Sequence, residues 1–268
     1  MIVKTSKIFT LIELIASLLI FVIILGIVLM FFNSAKNIWS ISESKRQAFE
    51  DGRIALELIS RDLQSVYYTA DTAPFWFKSK TSTNQWYDSQ AINFISIIDI
   101  KDASESYSGL YEVKYFLWYP ENSVISDSDG WLMRSITGEG SEKWDFNDYP
   151  LSVGLTGSGK AFTANNDSSE PANKIIPYVT KIEFNCFQRT GAIISSSQDS
   201  IQELPYSIEI RIFILPHSEW LKWLSIGGNP KEAIDGSETL SNSAAANFRE
   251  KNEIMFSKTV LLSERGQN

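Results

Sequence analysis

Cysteine and histidine are nearly missing from this chain: Cys186 and His217 stand alone among 268 residues. A single cysteine excludes an intrachain disulfide, and a single histidine excludes any metal site built on two imidazoles. A Cys–His nucleophile pair would have to come from these two residues, and no motif surrounds either. Cys186 sits in Ile182-Glu183-Phe184-Asn185-Cys186-Phe187, where alternation puts it on one face of a strand as a small core residue. Gly-rich phosphate loops, a nucleophile elbow and metal-ligand clusters are also missing, and the carboxylates are scattered. The expectation is therefore no catalytic residues, no enzyme and no resident cofactor. Blocks of like charge are missing too. The net charge of −8, from 24 Lys+Arg against 32 Asp+Glu, leaves no basic face for nucleic acid and mainly favours solubility.

Charge is absent from Leu14 to Phe32, a run long enough to cross the roughly 30 Å hydrocarbon core of a bilayer as a helix. The run is too long for a cleavable secretory signal, and no small-residue cleavage site follows it. Lys4 and Lys7 precede it, so the positive-inside rule keeps the N-terminus in the cytoplasm and exports the rest. Glu13 is the only charge between Ile8 and Phe32. It is either solvated at headgroup level or functional, since an ionisable group at such a place is costly to keep.

Proline is missing from Asn33 to Tyr67, and apolar residues return there at helical spacing: Ala35, Ile38, Trp39, Ala48, Ala55, Ile59, Leu63 and Val66. Glu43, Lys45, Arg46, Glu50, Arg53, Glu57 and Arg61 fill the other face, with Glu57 and Arg61 in the favourable i, i+4 order. Gly52 weakens the helix by roughly 1 kcal/mol relative to Ala, and with Gly26 offers a place to bend. From Phe9 to Tyr67 the helix would reach on the order of 90 Å.

Beyond Tyr68 the chain turns to strands. Ala91–Ile98, Tyr111–Tyr119, Gly130–Ile136, Val179–Gln188, Tyr206–Leu215 and Met255–Leu262 are rich in β-branched and aromatic residues. The clearest carries Ile208, Ile210, Ile212 and Ile214 on one face and Glu209 and Arg211 on the other. Ser79–Gln90, Leu151–Asn173 and Gly227–Asn252 read as irregular, and the last interrupts the strands as an insertion. Asp127-Ser128-Asp129-Gly130 offers two oxygen ligands for calcium without the remaining carboxylates of a binding loop, and also reads as a turn. Ser218 to Leu224 reads as a short helix capped at Ser218. Its Trp220 and Trp223 share one face, either buried on a sheet or offered to a partner.

Basic residues, then Phe9, then Glu13 at the fifth position counted from that Phe, then an apolar helix: this N-terminus resembles type IV pilins and type II secretion pseudopilins. The resemblance implies a leader, 1–8, clipped between Ile8 and Phe9 by a prepilin peptidase, methylation of the new N-terminus, and pairing of Glu13 with a neighbouring subunit. Some pseudopilins bind calcium, which keeps Asp127 and Asp129 as weak candidates. The family peptidase reads Gly before the Phe. Ile8 in that place leaves slow processing, a different peptidase or a retained leader open.

Leu58-Ile59-Ser60-Arg61-Asp62-Leu63 resembles a segment of the J-class pseudopilins and W-class minor pilins. So do a Val-x-Tyr strand, Leu132-Met133-Arg134, a Val-x-x-Ile-x-Phe strand, a Leu-Pro-x-x-Ile strand and the closing Phe256–Leu262 strand. The fold implied is α+β: a long N-terminal helix, transmembrane over 9–32 and amphipathic over 33–68, on an antiparallel sheet head, 69–268, with an insertion at about 227–252. The function implied is a minor pilin or pseudopilin priming or capping a filament. Its place would be the bacterial inner membrane, crossed once, and its partners other pilin-like subunits, an assembly platform and lipid. A membrane-tethered binding protein for carbohydrate or surface ligands is the alternative from another class.

Overall fold

The computed structural model describes residues 10–68, 76–79, 90–98, 109–118, 130–138, 172–194, 204–230, 233 and 243–262. The chain divides into two compact units, Met1–Arg46 and Gln47–Asn268. A single helix, α1, runs Leu11–Gln64 and contributes to both. Its length follows from the missing prolines, and its 54 residues extend on the order of 80 Å.

Within the first unit α1 buries nothing; only Ser44 is even half-covered. Within the second, Ala48, Gly52, Ala55, Ile59 and Leu63 form a stripe at helical spacing that enters the main core. Gly52 has a packing role rather than serving as a bend. A Cβ there would lie 2.7–2.8 Å from the Phe256 ring, so only glycine lets that ring seat against the helix. Phe256 meets Phe49 edge-on with centroids 5.5 Å apart.

The helix ends three residues before the expected Tyr67. Val66–Tyr67 instead forms a short strand, β1, opposite Ser96 and Ile95. The turn is fixed by Ser96, whose hydroxyl donates to the Asp62 carbonyl at 3.1 Å, one of the carbonyls a helix C-terminus leaves open.

The expected single sheet is two antiparallel sheets. The larger contains β1, β2 (Trp76–Ser79), β3 (Gln90–Ile97), β4 (Leu110–Trp118), β5 (Trp131–Gly138) and β6 (Ala172–Pro177) in the order β1-β3-β4-β5-β6, with β2 also on β3. The smaller is β7 (Val179–Phe187), β8 (Ser207–Ile214) and β9 (Ile254–Leu261). The chain passes between sheets at Tyr178, which takes φ 61, a backbone region costly for a bulky residue. Its carbonyl accepts from Leu215, and its ring lies against His217 and Trp220.

The even-numbered isoleucines of β8 and Ile182, Phe184 and Cys186 of β7 face one core, shared with the α1 stripe and with Phe94, Val113, Leu117 and Leu132 of the larger sheet. Each such side chain contributes about 1.5–3 kcal/mol by leaving water. Among the described residues, β8 is followed by α2, His217–Ser225, and by α3, Ser243–Asn252. The α3 helix corrects the irregular reading of 227–252; its Ala-rich sequence lacks an apolar stripe. Pro216, not Ser218, stands at the N-cap of α2, and no side chain caps it.

One buried carboxylate ties α1 to the larger sheet. Asp62, 2% exposed, accepts from Arg134 Nε at 2.8 Å and Nη2 at 2.6 Å, and from the Tyr115 hydroxyl at 2.5 Å. Burial, then the Asp62 charge, pushes the Tyr115 phenol far above its ordinary range, so it stays a donor. Truncating one member of a buried pair strands the other charge. Asp62→Ala is expected to cost about 3–5 kcal/mol, seen as a lowered denaturation midpoint of the detergent-solubilised chain. Asp62→Leu combined with Arg134→Met should recover most of that loss.

Candidate functional site

Glu13 stands in the first turn of α1, three residues after Thr10. Its Oε2 accepts from the Thr10 amide at 2.9 Å and from the Thr10 hydroxyl at 3.0 Å. This is one half of a capping box, in which a glutamate at the third helical position satisfies an otherwise open amide at the helix start. The negative charge also suits the positive end of the helix dipole. Thr-Leu-Ile-Glu is thus a helix-start signal as well as part of the resemblance. Among the described residues only Oε2 is engaged, so the carboxylate can cap its helix and still accept from another donor.

Past Glu13 the surface is almost wholly apolar. Leu14, Leu18, Phe21, Leu25, Val28 and Phe32 are all exposed, as are the residues between them. The chain therefore carries one N-terminal helix long and apolar enough to cross a membrane. So much apolar surface needs lipid or another apolar partner. Ile8 and Phe9, the processing site that the resemblance implies, lie outside the described residues, as do Asp127 and Asp129.

Gly130, next to that acidic pair, is described and has a packing reason to be glycine. A Cβ there would lie 2.6 Å from the Val179 carbonyl, and the Gly130 carbonyl accepts from the Val179 amide at 3.1 Å. Among the described residues no group of three His, Cys, Asp or Glu could hold a metal ion.

Trp220 and Trp223 are not a partner surface. Both are fully buried, with Leu215, Ala233 and Ala245, and their rings touch at 5.0 Å. Residue spacing placed them correctly on one face of α2, but could not say whether that face met protein or solvent. Cys186 and His217 do not come together as a pair: Cys186 lies in the main core, whereas His217 is exposed at the start of α2.

A carboxylate that the sequence did not single out is Glu253, between α3 and β9. Its Oε2 accepts from Thr180 Oγ1 at 3.0 Å and Arg249 Nη1 at 2.9 Å. Burial raises its pKa; Arg249 and Thr180 pull it back. A carboxyl raised on folding favours the fold at low pH, and that contribution fades as pH climbs from the ordinary carboxylate range through the raised value. Burial likewise pushes the Cys186 thiol well up, which keeps it protonated and inert.

No protein-family model matches the sequence, and no curated protein matches it.

An alkylating thiol reagent should leave Cys186 unmodified in the folded chain at neutral pH and modify it fully in denaturant, as intact-mass measurement reads directly. Labelling at equal rates in both states would mean that the core around β7 opens readily.

Proposed function

We propose that this chain is a minor pilin or pseudopilin, waiting in a membrane through α1 and joining related subunits at the tip of a filament. The observation that carries the reading is Glu13 at the edge of an exposed apolar helix, already bound to Thr10 and with an oxygen to spare. An apolar helix passes between lipid and a filament core at little cost, because both environments are apolar. The carboxylate is the part of the surface that discriminates between them. In lipid an ionisable side chain costs about 2.5–3.5 kcal/mol at mid-span, and a cationic partner in a neighbouring subunit removes that cost while fixing register.

The head supports the same reading. Three short motifs of the resemblance, around Asp62, Tyr115 and Arg134, meet at one carboxylate. Such convergence gives those residue types a common physical purpose. Whether the machine is a secretion system or a pilus is a matter of partners rather than of this fold.

Glu13→Leu should leave insertion and head folding unchanged, because it only makes the span more apolar. Co-assembly with other pilin-like subunits should fall about ten- to hundredfold, the loss expected when a desolvated charge pair is removed. Ile8→Gly should raise the fraction of chain beginning at Phe9, read by mass spectrometry of membrane-extracted protein. Glu13→Leu assembling normally, with wild-type chain still starting at Met1, would leave a plain signal-anchored protein.

A further inference from the structure

From Leu14 to Ser42 the chain carries one charged residue, Lys36, and α1 runs unbroken through all of it. Charge returns at Glu43, followed closely by Lys45, Arg46, Glu50, Asp51 and Arg53. The apolar span ends at Phe32, so residues 33–42 belong to neither composition. They are polar but almost uncharged, and hold Ile38, Trp39 and Ile41. Trp39 is 76% exposed and Ile38 67%, so the helix itself shelters neither. An indole has an apolar body and a polar N–H, and is favoured where an apolar layer meets a polar one.

Helix geometry says how far Trp39 stands from the span. Its Cα lies about 10 Å along the axis from that of Phe32. Helical side chains lean back over the preceding turn, so the ring falls roughly 5–10 Å beyond the end of the span. When Leu14 to Phe32 fills the hydrocarbon core, the headgroup layer on each side is about 5–8 Å deep. The indole therefore reaches that layer. Lys36, at i, i+3 from Trp39, and Phe32, one turn before Lys36, lie on the same helix face, and all three are exposed. That face reads, moving away from the span, as aromatic hydrocarbon, cation and indole.

We propose that Lys36 and Trp39 bind phospholipid headgroups, extending the lipid contact of α1 two turns past its apolar span. The Lys36 ammonium takes the lipid phosphate, reached along its flexible stem. The indole N–H donates to an ester carbonyl at the base of the headgroup. A protein partner suits this face less well. Asn33, Asn37 and Ser40 are exposed and interrupt any continuous apolar contact, whereas a headgroup layer mixes ester, phosphate and water.

The contact sets depth. From Glu13 to Trp39 the helix advances about 39 Å, close to the roughly 40–45 Å of a bilayer with both headgroup layers. One group marks each surface, so holding Trp39 holds Glu13 at the level where it meets its partner. That consequence rests on the filament reading above; the lipid contact rests on the membrane span alone.

The full chain in vesicles of phosphatidylcholine and phosphatidylglycerol tests the contact, with flotation reading insertion. Trp39→Phe removes one indole at an exposed site, so the emission lost with it is that of Trp39. This difference emission should be quenched strongly by lipids brominated near the headgroup end of the acyl chain. Lipids brominated near the terminal methyl should quench it weakly, and aqueous iodide should quench it several-fold less than free tryptophan. Lys36→Arg should leave the pattern unchanged. Lys36→Glu should reduce the shallow quenching by about half or more, because it sets a negative charge against anionic lipid. In native membranes a photo-crosslinker at Ser40 should add the mass of one phospholipid.

Iodide quenching equal to that of free tryptophan, equal quenching by both brominated lipids, Lys36→Glu behaving as wild type, or a crosslink to protein without lipid would each overturn the proposal. Glu13→Leu keeps the two readings apart. Lipid contact at Trp39 in a chain that assembles without Glu13 refutes the filament alone. Assembly that needs Glu13, with Trp39 open to iodide, refutes the headgroup contact alone.

Discussion

The Asp62 carboxylate is the constraint on which the head depends. It lies near the C-terminal end of α1 and is reached by Tyr115 from β4 and Arg134 from β5. Apolar packing along the α1 stripe supplies most of the stabilisation but little direction, because aliphatic side chains tolerate sliding and small rotations. A charged contact in which two guanidinium nitrogens and a phenol converge on one carboxylate oxygen does not, because its strength depends on distance and direction. Ser96 bonds the carbonyl of the same residue, so helix, β3, β4 and β5 are all registered to one point. Gly52 makes the matching adjustment on the other sheet, where the Phe256 ring of β9 takes the space a side chain would fill.

The chain thus holds two kinds of surface in one helix. Over 47–64 the apolar stripe is met by two sheets. Over 11–46 the helix surface is exposed, Ser44 alone being half-covered among the described residues. The same 3.6-residue geometry serves both, and the difference lies in the polar face. Glu50, Arg53, Glu57 and Arg61 confine the apolar residues of the lower segment to a stripe, whereas Leu14 to Phe32 is apolar all round. A helix apolar all round needs an apolar surrounding, and α1 has that composition from Leu14 to Phe32, just past the turn that Glu13 caps.

How much of this was legible followed the range of each interaction. The long helix, its apolar stripe and six strands came from local periodicity, and the strands stand within two residues of their expected bounds. Val66 and Tyr67 fitted the helical pattern, yet pairing with Ser96 and Ile95 takes them into a strand. β2 and β6 were missed because they are short, and α3 because Ser243–Asn252 has no apolar periodicity to read. The division into two sheets turns on Tyr178, whose left-handed backbone no composition rule announces. Glu13 was legible from its position, but Asp62 drew notice only through the resemblance. Its partners lie 53 and 72 residues away, and nothing local distinguishes a clamped aspartate from a solvated one.

Side-chain patterns show which groups a chain must bury; backbone edges leave no such trace. The apolar excess of α1 is plain in the sequence, and so is its need for a partner. The outer side of β9, unpaired among the described residues, is not, because Ile-Met-Phe-Ser-Lys-Thr-Val-Leu reads the same whether a strand is central or terminal. Only the sheet order makes it an edge, and only the Leu262–Tyr206 bond tells which amides face outward. An apolar helix can exchange one apolar environment for another without being specific about either. A ladder of amides and carbonyls accepts only an extended backbone in register. In the filament proposed above, selectivity therefore resides more in the single carboxylate of Glu13 and in the head than in the long apolar surface that dominates the sequence.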